Sequence, residues 1–322
     1  MDLPNPNPHL LFAEERDVIG SVIITSTVIF VLLNIFIIKS LYDDRSLFSC
    51  NAYKFMIILC IYDLVQLVVH FVTGLFTIFR SVGHPALAKL LGAIATPCYI
   101  GYVITTILLA FNRFVHLALP NVDRRVFSAS AIKYWSLAAL SIGVSFSIIL
   151  ITPYATIQYD TDRFAWFYDT SLSASAVVKQ VEMVVEVGGI FVSAAIYVLI
   201  IGFLFVWFSK SSHSMSESLS VEGRILLQSF ILTAYCTVLN WLWHNHNTTD
   251  LSNVSLNLMW IFNSGLNPII YLPLNTRTNR VGVSTMMNAE TQKKAVPMTA
   301  EERKKEFNET VAKITNKVVY VT

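Results

Sequence analysis

Seven stretches of this chain are apolar enough and long enough to cross a bilayer, and that count constrains the fold more than any single residue does. A spanning helix needs about 20 apolar residues to cover the hydrocarbon core, where its backbone must satisfy its own hydrogen bonds. The stretches are Ile19–Leu41, Tyr53–Phe79, Leu87–Leu119, Tyr134–Tyr154, Val181–Phe208, Ile225–Trp243 and Leu256–Leu274. They predict an all-α membrane protein, a seven-transmembrane helix bundle with its N-terminus outside and its C-terminus cytoplasmic. The expected domains are an extracellular segment 1–18, a membrane domain 19–276 and a cytoplasmic tail 277–322. Composition agrees, with 14% of residues charged against 54% hydrophobic, where a soluble domain carries roughly a quarter charged. A net charge of +2 and the lack of a basic-aromatic patch argue against nucleic acid as a partner and leave membrane lipid as the surrounding medium.

Orientation follows from lysine and arginine, which collect on the cytoplasmic side. An outside N-terminus leaves Arg16, Arg80, Lys89, Arg163 and Lys179 outside and places the other 18 of the 23 basic residues inside. The sequons at Asn247 and Asn253 then fall in the last outer loop and are expected to carry glycans. Cys50, Cys60, Cys98 and Cys236 lie in spans or a cytoplasmic loop and form no disulfide framework. In the tail, Thr299 and Glu302 fit a helix cap ahead of Phe307, Val311, Ile314 and Val318, an amphipathic helix or a charged disordered segment.

Polar residues inside spans carry the functional information, because a bilayer makes each of them costly. Asn34 lies in the first span, Asp63 in the second, and Asn263, Ser264 and Asn267 in the seventh. A carboxyl at the position of Asp63 either holds a cation or takes a proton inside a network with Asn34 and Asn267. At the inner end of the third span stands Asn112-Arg113-Phe114, and the seventh ends in Asn267-Pro268-Ile269-Ile270-Tyr271. Pro268 interrupts the helical hydrogen-bond ladder. Tyr271 follows one turn further in, where its hydroxyl can swing toward Arg113, which makes a two-state switch.

Asn34, Asp63, the arginine triplet and Asn-Pro-x-x-Tyr, in this order and spacing, resemble rhodopsin-like G-protein-coupled receptors. Within that class the chain looks like the nematode serpentine chemoreceptors of class T. That likeness rests on Tyr53-Lys54-Phe55-Met56 with Asp63, Ala110–Phe114, Trp166-Phe167-Tyr168-Asp169 and Asn267–Asn275. The resemblance implies a receptor in the plasma membrane, or a sensory cilium, that binds an extracellular small molecule or peptide and signals through a heterotrimeric G protein. It implies no enzyme activity. Arg113 would contact the G protein in the active state, with Arg124 and Arg125, together with Lys133, Lys210 and Arg224, bordering the coupling site. Asp63, Asn263, Ser264 and Asn267 would surround a sodium ion, with Tyr102 nearby where relatives carry a smaller polar residue. Thr278, Ser284 and Thr285 are tail sites for phosphorylation. The chain also departs from the pattern. Asn112 replaces the acid that normally restrains the arginine, implying raised basal activity. The outer disulfide is missing, and the fifth and sixth spans contain no proline.

On the ligand side, the seventh span has no lysine for a retinal Schiff base, and Ala95 stands where amine receptors carry an aspartate. The expected pocket is lined by His70, Thr96, Tyr99, Tyr235, Asn257 and Trp260. Glu182 and Glu186, one turn apart, are read first as first-turn acids favoured by the helix dipole and second as a cation site. Trp241 and Trp243 are read as an interfacial belt, and His244 with His246 lacks a third metal ligand. A transporter or channel is the rival class, but the chain has no internal repeat and a single deep acid.

Overall fold

The computed structural model describes residues 15–44, 48, 51–210, 216–245, 249 and 251–271. The helices are α1 (Arg16–Asp43), α2 (Asn51–Phe79), α3 (Pro85–Ala118), the short α4 (Pro120–Val126), α5 (Ala129–Ile151), α6 (Ser173–Lys210), α7 (Ser216–Asn245) and α8 over residues 251–271. All but α4 correspond to the seven expected spans. Among the described residues five helices are by themselves long and apolar enough to cross a membrane, and α7 adds the shorter apolar segment Phe230–Trp243.

Helix ends differ from the hydropathy runs where capping chemistry, which hydropathy does not register, sets them. α5 starts at Ala129 rather than Tyr134 because the Ser128 hydroxyl accepts from Ala131 N at 3.2 Å. α3 starts at Pro85, where proline suits a first helical position and His84 Nδ1 accepts from Ala86 N. α6 starts at Ser173 rather than Val181. The end of the seventh expected span, the tail with Thr299 and Glu302, Cys50 and His246 lie outside the described residues, as does the side chain of His244.

One element departs from an all-helical expectation. Between α5 and α6 the chain forms an antiparallel hairpin of β1 (Ile157–Asp160) and β2 (Ala165–Tyr168), pairing Ile157 with Tyr168 and Asp160 with Ala165. Asp160 Oδ1 closes its turn by accepting from Asp162 N and Arg163 N. Three helices tie the hairpin and its leading residue down. Arg16 of α1 donates to Thr161 O and to Asp162, the Thr77 hydroxyl of α2 meets Tyr159 Oη at 2.8 Å, and Ser175 of α6 accepts from Thr156 N.

The most buried helix is α3, which packs on α2, α5, α6 and β1. Its contact with β1 is backbone against backbone, since a Cβ at Gly92 would stand 2.5 Å from Ile157 O. Lys89, one turn earlier, donates to Thr152 O at 2.6 Å. The described Cys60, Cys98 and Cys236 are free thiols, so these contacts hold the hairpin to α3 without a disulfide. Gly92→Ala is therefore expected to destabilise the purified protein by about 1–3 kcal/mol through overpacking. Gly188→Ala, which meets no atom within 4 Å, is expected to leave the melting temperature unchanged or slightly raised. Equal melting temperatures for the two variants would contradict this packing.

Candidate functional site

Inside the bundle the buried polar residues of α1, α2, α3 and α8 converge. Pro268 has no N–H, so the carbonyl of Ser264, four residues earlier, loses its helical partner. Asn34 supplies the replacement, donating Nδ2 to Ser264 O at 2.9 Å and also to Phe30 O in its own helix. Asn34 thus repairs the broken helix and does not satisfy Asp63, as the sequence had suggested. Asp63 is fully buried and accepts from Asn267 Nδ2 at 2.7 Å. The same amide donates to Tyr102 Oη at 3.1 Å, while Asn267 Oδ1 accepts from Tyr271 Oη at a long 3.4 Å.

This arrangement does not fit the four-residue sodium shell expected from sequence. A sodium ion needs oxygen ligands. Asn267 instead turns its amide nitrogen to the carboxylate, and the oxygen of Asn263 is taken by the Cys236 thiol at 3.2 Å. Only Asp63 Oδ1 and the Ser264 hydroxyl, of those four side chains, present oxygen atoms with no hydrogen-bond partner among the described residues. The bulk of Tyr102 fills the neighbouring position.

Toward the end of α3 away from the hairpin, Asn112 and Arg113 are both buried, as is Tyr271. Tyr197 of α6 joins them, packed with Ala110 and Ile200. The sequence reading passed over Tyr197 because one tyrosine in an apolar span carries no local signal. Beyond α3, Arg124 and Arg125 stand exposed in the last turn of α4. That helix is anchored by buried Phe127, whose carbonyl accepts from Asn51 Nδ2 at 2.6 Å. The side chains of Lys210 and Arg224, and residues Thr278, Ser284 and Thr285, lie outside the described residues.

Under the hairpin lies a cavity of about 20 Å³, lined from α3 by Thr96 and Tyr99, from α6 by Glu182 and Glu186, and from α8 by Trp260. Leu239, Asn240 and Trp243 of α7 close another side, with Ile157 and Tyr168 of the hairpin as its roof. Three of the six residues expected in a pocket are here. The others lie around it. His70 meets Trp260 edge-on at 4.9 Å, Asn257 donates to Phe164 O at 3.4 Å, and Tyr235 donates to Met259 O at 2.8 Å, joining α7 to α8.

The two glutamates correct a reading. Because α6 begins at Ser173, they lie well past its first turn, where the helix dipole no longer acts, and its first turn holds no acid. Both are buried. The Tyr168 hydroxyl donates to Glu182. Burial, with the Glu182 carboxylate second, pushes the Tyr168 phenol far above its ordinary range, so it remains a donor. Trp243 lines the cavity and so departs from the expected belt, whereas Trp241 faces outward at 63% exposure.

Pro97 and Asn253 differ from what the sequence pattern led one to expect. Pro97 lies inside α3, between Thr96 and Tyr99, so the third span carries the proline that the fifth and sixth lack. Asn253, expected to bear a glycan, is 2% exposed in α8 and donates Nδ2 to Arg163 O at 2.9 Å. The atom that a glycan would occupy instead clamps the hairpin turn. Asn247 lies outside the described residues.

A family model described as "Serpentine type 7TM GPCR chemoreceptor Srt" matches residues 7–296. Among solved structures, the crystal structure of squid rhodopsin superposes with a TM-score of 0.69 at 15% identity, covering 91% of this chain and 90% of that one. At that identity the likeness concerns the fold alone. No curated protein matches the sequence.

Two outcomes follow from the geometry. Asn253→Gln should leave the glycoform pattern of the expressed protein unchanged, and a faster-migrating band would contradict the buried placement. Exchanging sodium for choline at constant ionic strength should leave Tm unchanged, because a bound ion would stabilise the fold by mass action. A sodium-dependent rise in Tm, lost in Asp63→Asn, would restore the cation reading.

Proposed function

The chain belongs to the Srt family of serpentine seven-transmembrane G-protein-coupled chemoreceptors, and on that premise we propose that it detects an extracellular small molecule in the cavity beneath the hairpin and signals through a heterotrimeric G protein at the opposite end. The hairpin end faces outward in this reading, and the charge count of the loops supports that orientation. The plasma membrane, including that of a sensory cilium, is the site of action. At about 20 Å³ the cavity as it stands has room for about one water, so a small molecule enters only as its walls move apart, and a peptide would need a much wider groove.

The observation that carries the proposal is a line of contacts from the cavity to Tyr271 of α8. Trp260 and Tyr99 line the cavity and meet edge-on at 5.9 Å. Tyr99 stacks on Tyr102 with rings 5.9 Å apart and 7° from parallel. Tyr102 holds Asn267, and Asn267 in turn holds Asp63 and accepts from Tyr271. A ligand that displaces the Tyr99 ring disturbs Tyr102 and hence the orientation of the Asn267 amide. The 3.4 Å bond to Tyr271 is the weakest in the line and breaks first. Pro268 lets the end of α8 reorient, and Tyr271 then turns toward Arg113, opening the G-protein surface beside Arg124 and Arg125.

Magnitudes favour a modest bias at each link. A net intramolecular hydrogen bond contributes about 0.5–1.5 kcal/mol, so no single link holds the resting state. A ligand shifts the equilibrium by its differential affinity for the two states. Asn112 adds no carboxylate beside Arg113, which favours measurable basal signalling.

The test is nucleotide exchange by a panel of purified G proteins on the full chain in proteoliposomes. Basal exchange above empty vesicles with at least one G protein is expected, and Arg113→Ala should reduce it by about tenfold or more. Tyr102→Phe, which removes one hydrogen-bonding oxygen, should change basal exchange by roughly two- to tenfold. Ion flux with no exchange on any G protein would overturn the receptor reading in favour of a channel or transporter.

A further inference from the structure

We propose that a groove between α6 and α7 binds a neutral, lipid-soluble molecule bearing an acceptor oxygen, such as a ketone or an ester, drawn from the bilayer. This rests on the ligand-binding reading above and adds a route and a chemical class. The groove has a volume of about 450 Å³, within the roughly 300–1,000 Å³ of small-molecule sites. The enclosed cavity beside it, at about 20 Å³, has room for about one water.

Helical spacing builds the groove. On α6, Val184, Gly188 and Phe191 share one face, and α7 meets them with Thr237, Asn240 and Trp241. Gly188 leaves the space open, since a Cβ there would meet no atom within 4 Å. Val184, Phe191 and Trp241 are exposed, on stretches apolar enough to lie in the hydrocarbon layer. The groove therefore opens on lipid rather than water. Charge is costly at that depth, so the occupant is neutral.

The acceptor requirement comes from Asn240. It is 2% exposed, its Oδ1 accepts from Tyr99, and its Nδ2 has no hydrogen-bond partner among the described residues. Thr237 and Asn245, the other polar residues described in the groove, are settled within α7. Thr237 donates to Thr233 O at 2.7 Å and Asn245 to Trp241 O at 3.0 Å. Hydrocarbon offers no water to relieve a buried N–H, so an oxygen on the guest gains a bond that an alkane cannot make. An acyl chain of the bilayer fills such a groove by shape but carries no acceptor along its length. Asn240 also lines the enclosed cavity, which makes it the wall shared by the two spaces. A guest that draws its amide toward the groove loosens the 3.2 Å bond from Tyr99, the ring that stacks on Tyr102. Occupancy of the groove thus reaches the line of contacts toward Tyr271.

Photolabelling of the purified full chain in nanodiscs tests this, with a diazirine-bearing methyl ketone as probe and 2-nonanone or nonane as competitor at matched mole fractions in the bilayer. Labelled peptides should come from α6 around Gly188 and from α7 around Asn240, and 2-nonanone should suppress them at a mole fraction about threefold or more below that needed of nonane. Gly188→Phe, which fills the groove from an open position, should reduce the labelling by about tenfold or more. Asn240→Leu should bring 2-nonanone down to the level of nonane. The ketone-to-alkane comparison on the wild-type chain needs no variant, so a folding defect in either variant does not blunt the test. Labelling that 2-nonanone does not suppress, or labelling unchanged in Gly188→Phe, would overturn the proposal. Equal suppression by nonane would overturn it too, with bilayer hydrocarbon as the occupant. Suppressible labelling without G-protein exchange would leave it standing and count against the receptor reading alone.

Discussion

Pro268 removes one hydrogen bond from the middle of α8, and in a hydrocarbon interior the freed carbonyl of Ser264 has no water to turn to. Asn34 of α1 takes that carbonyl, which fixes α1 against α8 at one depth. With α8 so placed, Asn267 faces α2 and α3 together and reaches both Asp63 and Tyr102. Four helices are therefore registered on one another by side-chain amides, a carboxyl and a phenol rather than by apolar packing, which discriminates poorly among helices in lipid. A network that repairs a helix break is also one that can be rearranged, because Pro268 leaves the end of α8 without a full ladder.

The hairpin does at one end of the bundle what the polar network does in the middle. Its backbone rests directly on Gly92 of α3, and its turn is held by Arg16, Asn253 and Asn257 from α1 and α8. The sequence offers no disulfide for this task, so the hairpin is bound by individually weak contacts. Tyr168 belongs both to the hairpin and to the cavity wall. In the proposed function this residue couples movement of the roof to occupancy of the cavity, which the glutamates of α6 also line.

Much of this was legible in the sequence. Apolar run lengths gave the seven helices, and Asp63, Asn267, Pro268, Tyr271 and Arg113 stood out because polar groups are rare inside spans. What escaped was decided by position in space. The start of α6 at Ser173 could not be read from hydropathy, so Glu182 and Glu186 passed for first-turn acids. Asn253 carries a glycosylation motif, and only the packing of α8 under the hairpin turn shows its amide enclosed. Asn34 was attached to the wrong partner, since sequence marks it as a buried polar group without saying which orphan it meets. Tyr197 and Asn240, single polar residues in apolar helices, had no local signature at all. Local chemistry named the switch; tertiary placement named the cavity.

The central claim is that Tyr102 and Asn267 act as one unit carrying the state of the cavity to the far end of the bundle. A double-mutant cycle of Tyr102→Phe and Asn267→Ala, read as G-protein nucleotide exchange, tests it most directly. Residues sharing one hydrogen-bond network couple energetically. The account predicts that the double variant changes exchange no more than the stronger single variant does. Strictly additive effects would show that the two residues act independently and would contradict it.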